Sequence, residues 1–325
     1  DTVDQALFSV KVTPMVWNEL VVGQEREYHM PACCYAAMPF YNWRGTMRYR
    51  FQVVCSNYHK GRLKVVYEPY AIQGNEYNTN YTYVVDLAES KDFTIDVGWC
   101  SHTKYCVNTD SPSSSAPIPY IKRNTINATA DESFNGILTV YVVNNLTTPN
   151  NTIDNNVNIN CFVSAAPDFE VRNPVAGLLN TYAWFPASAE IPLAEGEECM
   201  VPQMGVEADM GETNEPDKPV AQTSDMSMAA PMSCDDPTNH VFFGEDIKSI
   251  RTMLKRYVLH YTDCAYPAAV GMRVWTRECD TFPFHRGNAP DAINRNGTGP
   301  MNFSHNTFLN WYTPAFVGWR VCIRY

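Results

Sequence analysis

The chain has 325 residues, of which 45% are hydrophobic and 13% aromatic, with a formal net charge of -11. That composition supports a folded chain long enough for one large domain or two ordinary ones, and the acidic balance excludes a dedicated nucleic-acid-binding module, which needs clustered Lys and Arg. The 11 cysteines are odd in number and scattered through apolar runs such as those around Cys55 and Cys161, a pattern of free buried thiols rather than of a disulfide scaffold.

In chain order, Leu7 to Thr13 reads as a strand closed by Pro14. From Thr46 the sequence alternates: Met47, Tyr49, Phe51 and Val53 fall on one face and Arg48, Arg50 and Gln52 on the other, the period of a half-buried strand. A turn at His59-Lys60-Gly61 leads into a second strand, with Leu63, Val65 and Tyr67 on one face until Pro69. Further strands are expected at Tyr81 to Leu87, Phe93 to Val97, Gly136 to Asn144 and Val157 to Ser164, with a long Ser/Pro/Asn-rich loop from Asn108 to Asn135. Many short strands with loops of mixed length predict an all-β antiparallel sandwich or barrel.

Between Pro186 and Val241 there is no aromatic residue, prolines and methionines recur, and acidic residues crowd 195 to 217. Such a stretch cannot bury enough apolar surface for a core. It reads as an arm or linker: either a solvated connector or an arm that wraps a neighbouring subunit. Beyond it, residues 246–258 are expected to form an amphipathic helix, with Asp246 as N-cap and Ile247, Ile250, Leu254 and Val258 as its apolar stripe.

Two phrases carry a resemblance. Phe40-Tyr-Asn-Trp43-Arg44-Gly45 before the first clear strand, and His59-Lys60-Gly61-Arg62 before the second, resemble the signature of capsid proteins of picorna-like RNA viruses. The stretch Gly244-Glu-Asp-Ile-Lys-Ser-Ile-Arg-Thr-Met-Leu-Lys-Arg256 is similar to a motif near the start of a second capsid subunit in the dicistrovirus, iflavirus and marine algal virus group. Asn310-Trp-Tyr-Thr-Pro to Tyr325 looks like the helix and fourth strand of that second roll, departing at Val321 where the family usually has Gly.

The resemblance implies an eight-stranded jelly-roll β-sandwich of the viral capsid type over residues 1–175, with its first strand expected upstream of Asp1. An arm over 176–240 and a partial second roll over 241–325 follow; the alternative is one subunit whose 241–325 region is a terminal extension packed on the first sandwich. It also implies a virion component that self-assembles into an icosahedral, pseudo T=3 capsid around single-stranded RNA, made in the host cytoplasm. Its partners would be other capsid subunits, local contacts with genomic RNA and a host receptor. Cleavage in the arm after Gln203 or Gln222 is expected, because extended backbone is what a protease binds and the polyprotein proteases of such viruses commonly cut after Gln.

Enzymatic chemistry finds no foothold. Nucleophile-elbow, Walker, His-Glu-x-x-His, Cys-x-x-Cys and dinucleotide-binding patterns are missing from the sequence. Cys33-Cys34 is adjacent rather than metal-spaced and reads as core or interface, so no catalytic residue, cofactor or metal is assigned. The Asp-Asp-Phe motif linked to precursor cleavage in this group is approached only by Lys91-Asp-Phe93, Pro167-Asp-Phe169 and Asp235-Asp-Pro237. Lys248, Arg251, Lys255 and Arg256 lie within three turns and are the candidates for RNA phosphates or an intersubunit contact. His59 to Arg62 reads as a solvated hairpin loop or an intersubunit contact. A non-viral carbohydrate-binding β-sandwich, using Trp17, Trp43 and Trp99 as a platform, or a sandwich-fold glycoside hydrolase with paired carboxylates, is the alternative. No apolar run is long enough to span a bilayer, and no charged, apolar leader opens the sequence.

Overall fold

The computed structural model describes residues 2–22, 25–69, 80–108, 120–122, 133–149, 157–176, 179, 182–183, 225–228, 243, 247, 249–257, 287–288, 295–296, 299–302 and 305–316. The strands are β1 (Ala6–Lys11), β2 (Asn18–Val22), β3 (Glu25–His29), β4 (Phe40–Arg44), β5 (Met47–Val54), β6 (Lys60–Glu68), β7 (Tyr81–Asp86), β8 (Asp92–Val97), β9 (Cys106–Val107) and β10 (Tyr120–Lys122). They continue with β11 (Ile137–Thr147), β12 (Asn158–Ala165), β13 (Glu170–Pro174) and β14 (Asp225–Met228), then the short β15 (Gly287–Asn288), β16 (Arg295–Asn296) and β17 (Gly299–Asn302). Three short helices accompany them: α1 (Ala32–Ala37), α2 (Ile250–Leu254) and α3 (Phe308–Tyr312).

β5 shows why the sandwich forms. Its apolar half is buried to the last residue, with Tyr49 and Phe51 each 1% exposed, while Arg48 and Arg50 stand outside and pair with Asp96 and Asp92 of the neighbouring β8. The period of two therefore places one face on a core and one in water. β8 repeats the pattern with Phe93, Ile95 and Val97. From Leu63 to Glu68, β6 differs in being buried on both faces.

Two sheets face each other across this core. One has the order β10-β1-β11-β6-β7 and the other β12-β5-β8-β14. All pairings are antiparallel except β14, which adds parallel to β8. The chain changes sheet between β5 and β6, between β7 and β8, and between β11 and β12. Such crossing is what a jelly roll does and a meander does not. The expected hairpin through His59 is thereby corrected: β5 and β6 belong to different sheets, and the turn carries the chain across the sandwich. The loop expected from Asn108 to Asn135 contains β10, three residues paired with Phe8 to Val10 of β1.

β12 pairs with β5 over its whole length and has no second neighbour among the described strands. Cys161 sits opposite Phe51 on this strand, and burial pushes its thiol up to about 12, yet the residue as a whole is exposed. With no described neighbour on its outer side, β12 is an open sheet edge among the described strands.

A smaller sheet, β13-β4-β9, closes one end of the sandwich, and a second apolar cluster lies beside it. That cluster joins Met15, Trp17, Cys34, Met38 and Phe40 to Met253, Phe308, Trp311 and Tyr312. None of these residues belongs to the cluster that holds Phe51.

Candidate functional site

The Trp43-Arg44-Gly45 phrase is a corner. It ends β4 in the small sheet and releases the chain into β5 of the large one. Gly45 has φ +123°, and a Cβ there would stand 2.6 Å from Phe169 Cα and 2.7 Å from the Asp168 carbonyl oxygen, so only glycine fits. The Thr46 hydroxyl donates to the Asp168 carboxylate at 2.6 Å, and the Ala166 amide donates to the Thr46 carbonyl at 3.0 Å. Trp43 is fully buried, edge-on to Trp99 with centroids 5.3 Å apart and stacked on Phe169 at 6.1 Å.

Beside the corner lies a buried charge cluster that sequence reasoning did not anticipate. Arg44 is 3% exposed, sits opposite Glu170 in the β4–β13 register and approaches its carboxylate at 3.4 Å. Arg172, 1% exposed, meets the same carboxylate at 3.3 Å. The Arg44 guanidinium also lies over the Tyr105 ring, and Tyr105 packs edge-on against Phe243. Two cations share one carboxylate, which makes Glu170 the hinge of the cluster. Such a site can lock strands together, but it offers no nucleophile.

The second signature phrase behaves as a bent joint. His59 is buried rather than solvated, and its Nδ1 lies 2.7 Å from the Ser56 hydroxyl and accepts from the Ser56 amide at 3.2 Å. Lys60 is exposed, and Arg62 donates to Asp86 across β6 and β7 at 2.9 Å. A Cβ on Gly61 would meet only ordinary contacts, the shortest at 3.4 Å from Leu146 Cα.

The basic helix is shorter than its pattern. α2 is capped by Ser249, whose hydroxyl accepts from the Arg251 amide; Asp246, expected as the cap, lies outside the described residues, as do Lys248 and Val258. Its buried residue is Met253, while Ile250 and Leu254 are 41% and 36% exposed. A single helical turn presents one anchor rather than a stripe. Arg251, Lys255 and Arg256 are exposed on it. Gln203 and Gln222 also lie outside the described residues.

Opposite α2, the second cluster is held by paired polar bonds. The Trp311 indole donates to the Tyr35 carbonyl at 3.1 Å, the Tyr35 hydroxyl donates to the Trp311 carbonyl, and the Tyr312 hydroxyl donates to the Ala36 carbonyl at 2.9 Å. The Tyr35 and Trp311 rings stack at 4.8 Å, and burial pushes the Tyr35 phenol up to about 12. Sequence reading placed α3 in a second roll, but nothing in it signalled that Trp311 would meet Tyr35; only the aromatic density of both phrases set them apart.

On the outer face of β6, Glu68 is 2% exposed with no hydrogen-bond partner for either carboxylate oxygen among the described residues, and burial pushes it up to about 7. Four residues earlier on that face, burial lowers Lys64, which lies 3.9 Å from Asp4 and over the Tyr141 ring. Among the described residues, no group of three His, Cys, Asp or Glu side chains is arranged to hold a metal, and no helix is long and apolar enough to cross a membrane. Trp17 and Trp43 are buried and the half-buried Trp99 packs against the core, so these three do not form the exposed aromatic platform of a carbohydrate binder.

These features define a jelly-roll subunit built from corners, edges and buried locks. The relatives agree. The solved structure of a marine algae virus of the order Picornavirales is 30% identical, with a TM-score of 0.51 over 57% of this chain and 70% of that one. The structural polyprotein of cricket paralysis virus is 28% identical over 193 residues, 55% of this chain, and the genome polyprotein of avian encephalomyelitis virus is 30% identical over 189 residues, 56% of this chain. This chain spans 20% of the first polyprotein and 8% of the second. No family model matches the sequence. The chain belongs to the capsid proteins of the picorna-like viruses, order Picornavirales.

Proposed function

We propose that this protein builds an icosahedral shell around a single-stranded RNA genome, and that it works by assembly rather than catalysis. The observation that carries the reading is the jelly-roll sheet order, cornered at Trp43-Arg44-Gly45, in a chain 30% identical to the marine algae virus protein. Assembly has surface to act on. β12 has no second strand neighbour among the described residues, and Phe162 on that strand is 51% exposed. At the far side of the other sheet, edge strand β7 exposes Tyr81 and Val84 by 50% and 49%. Apolar side chains on sheet edges mark surface that neighbours cover.

The same reading divides the chain into a roll over 1–175, an arm over 176–240 and the opening of a second roll over 241–325, with processing after Gln203 or Gln222. The division rests on the aromatic-free stretch between the two parts; Phe51 and Met253 lie in different apolar clusters, but the Met253 cluster is shared with Met15, Trp17, Cys34, Met38 and Phe40 of the first part. RNA contact is assigned to Arg251, Lys255 and Arg256 with Lys248, a local patch suited to an acidic chain. Sedimentation and negative-stain imaging of the expressed protein test the proposal. Shells or pentamer-like assemblies are expected, and a monomer at every concentration would overturn it.

A further inference from the structure

We propose that the exposed basic side of α2 is a docking site for the acidic segment from Glu195 to Asp217 of the same chain, which holds this patch in the free subunit until genomic RNA displaces it. The inference rests on the reading of Arg251 and Lys255 as an RNA contact and adds its regulation. Nine acidic residues and no Lys or Arg lie between Asn173 and Asp217, so this stretch carries most of the net charge of -11. A block of like charge is commonly an interaction segment for the opposite charge. α2 offers that charge: Arg251 and Lys255, four residues apart, stand exposed on the same side of the helical turn.

Two further observations name the occupant. Beside the cations, Ile250 and Leu254, also four residues apart, are 41% and 36% exposed. Phosphate groups would use the charges and leave these side chains wet, whereas the acidic segment carries Val201, Met204, Val206 and Met210 among its carboxylates. A peptide both acidic and apolar therefore matches this surface better than a bare phosphate backbone. The second observation is reach. Met253 seats α2 in the apolar cluster that also holds Leu179, and Tyr182 meets Trp311 of that cluster edge-on at 5.6 Å. Tyr182 precedes Glu195 by 13 residues. The chain leading to the segment is thus held beside the helix, and a short tether keeps the effective concentration of the segment high.

Zero-length carbodiimide cross-linking of the full chain, read by peptide mass spectrometry, tests the contact. Amide links are expected from Lys255 to carboxylates between Glu195 and Asp217, in clear excess over links from the exposed Lys60 to the same segment. A single-stranded RNA oligonucleotide should lower the Lys255 links as it binds. The apolar side chains give the sharper readout. Leu254→Ser should weaken the docked segment and so tighten RNA binding roughly threefold to tenfold by fluorescence anisotropy, while Arg251→Ala should weaken RNA binding and the cross-link together. Should Leu254→Ser fail to fold by circular dichroism, Ile250→Ser takes its place with the same expectations. Lys255 links no more abundant than those of Lys60, or RNA affinity unchanged or lowered by the serine variant, overturn the proposal. The RNA assignment fails separately: RNA that binds Arg251→Ala as well as the parent, and leaves abundant Lys255 links undisturbed, refutes the contact with RNA and leaves the docked segment standing.

Discussion

Phe51 of β5 and Phe93 of β8 stand directly opposite each other in the strand register, and their rings stack with centroids 5.4 Å apart. Phe8, from the opposing sheet, meets Phe51 edge-on at 6.5 Å. A single ring thus ties two strands of one sheet to a strand of the other, at the centre of the sandwich.

Removing that ring should leave a cavity the two sheets cannot close. Phe51→Ala is expected to cost about 3 to 5 kcal/mol, read by denaturant unfolding. Phe162→Ala, on the half-exposed outer face of β12, should change stability by about 0.5 kcal/mol or less. Equal effects would contradict the core position of Phe51.

The two glycines of the signature should respond oppositely. Gly45→Ala combines a left-handed φ with a clash against Phe169 main chain and should cost about 2 to 4 kcal/mol. Gly61→Ala meets only ordinary contacts and should stay within about 1 kcal/mol of the parent. Thermal melts of the two variants check the contrast.

Charge pairs divide in the same way. Arg50 and Asp92 are 52% and 30% exposed, so Asp92→Asn should cost about 1 kcal/mol or less and the difference should shrink in high salt. Glu170→Ala instead removes the carboxylate shared by the buried Arg44 and Arg172 and should cost about 3 to 5 kcal/mol, largely independent of salt.

Glu68 should make stability depend on pH. Burial raises its folded pKa from 4.5 to about 7, so the folded chain holds a proton that the unfolded chain releases. Stability is therefore lost as pH rises from about 4.5 through 7 and the loss levels off above. Glu68→Gln should melt higher than the parent at pH 8 and show no advantage at pH 4. The groups facing Glu68 include Tyr141, whose phenol is raised by burial and then by Glu68, with Lys64 and Asp4 further along the face. A Glu68→Gln advantage unchanged between pH 4 and pH 8 would contradict the buried position of this carboxyl.

The sequence by itself determined most of the strands that carry the sandwich and, for β5 and β8, which side faces the core. Met47 to Val54 reads correctly because side chains alternate every residue, and burial on one face writes that period directly into the choice of residue. The capsid signature was legible as a resemblance; the structure gives Gly45 both a left-handed φ and a close approach to Phe169 main chain. The tertiary structure alone decided what lies far apart in the chain. β4, β9 and β13 are too short to show a period, and their pairing depends on partners supplied from elsewhere. The burial of Arg44 and Arg172 around Glu170, the crossing of His59 between sheets, and the meeting of Tyr35 with Trp311 depend on distances that no local pattern encodes. α2 teaches the same lesson in reverse. Its periodic stripe promised a long helix, but the described helix is Ile250–Leu254 with Met253 buried, and Ile247 packs on the same cluster ahead of it.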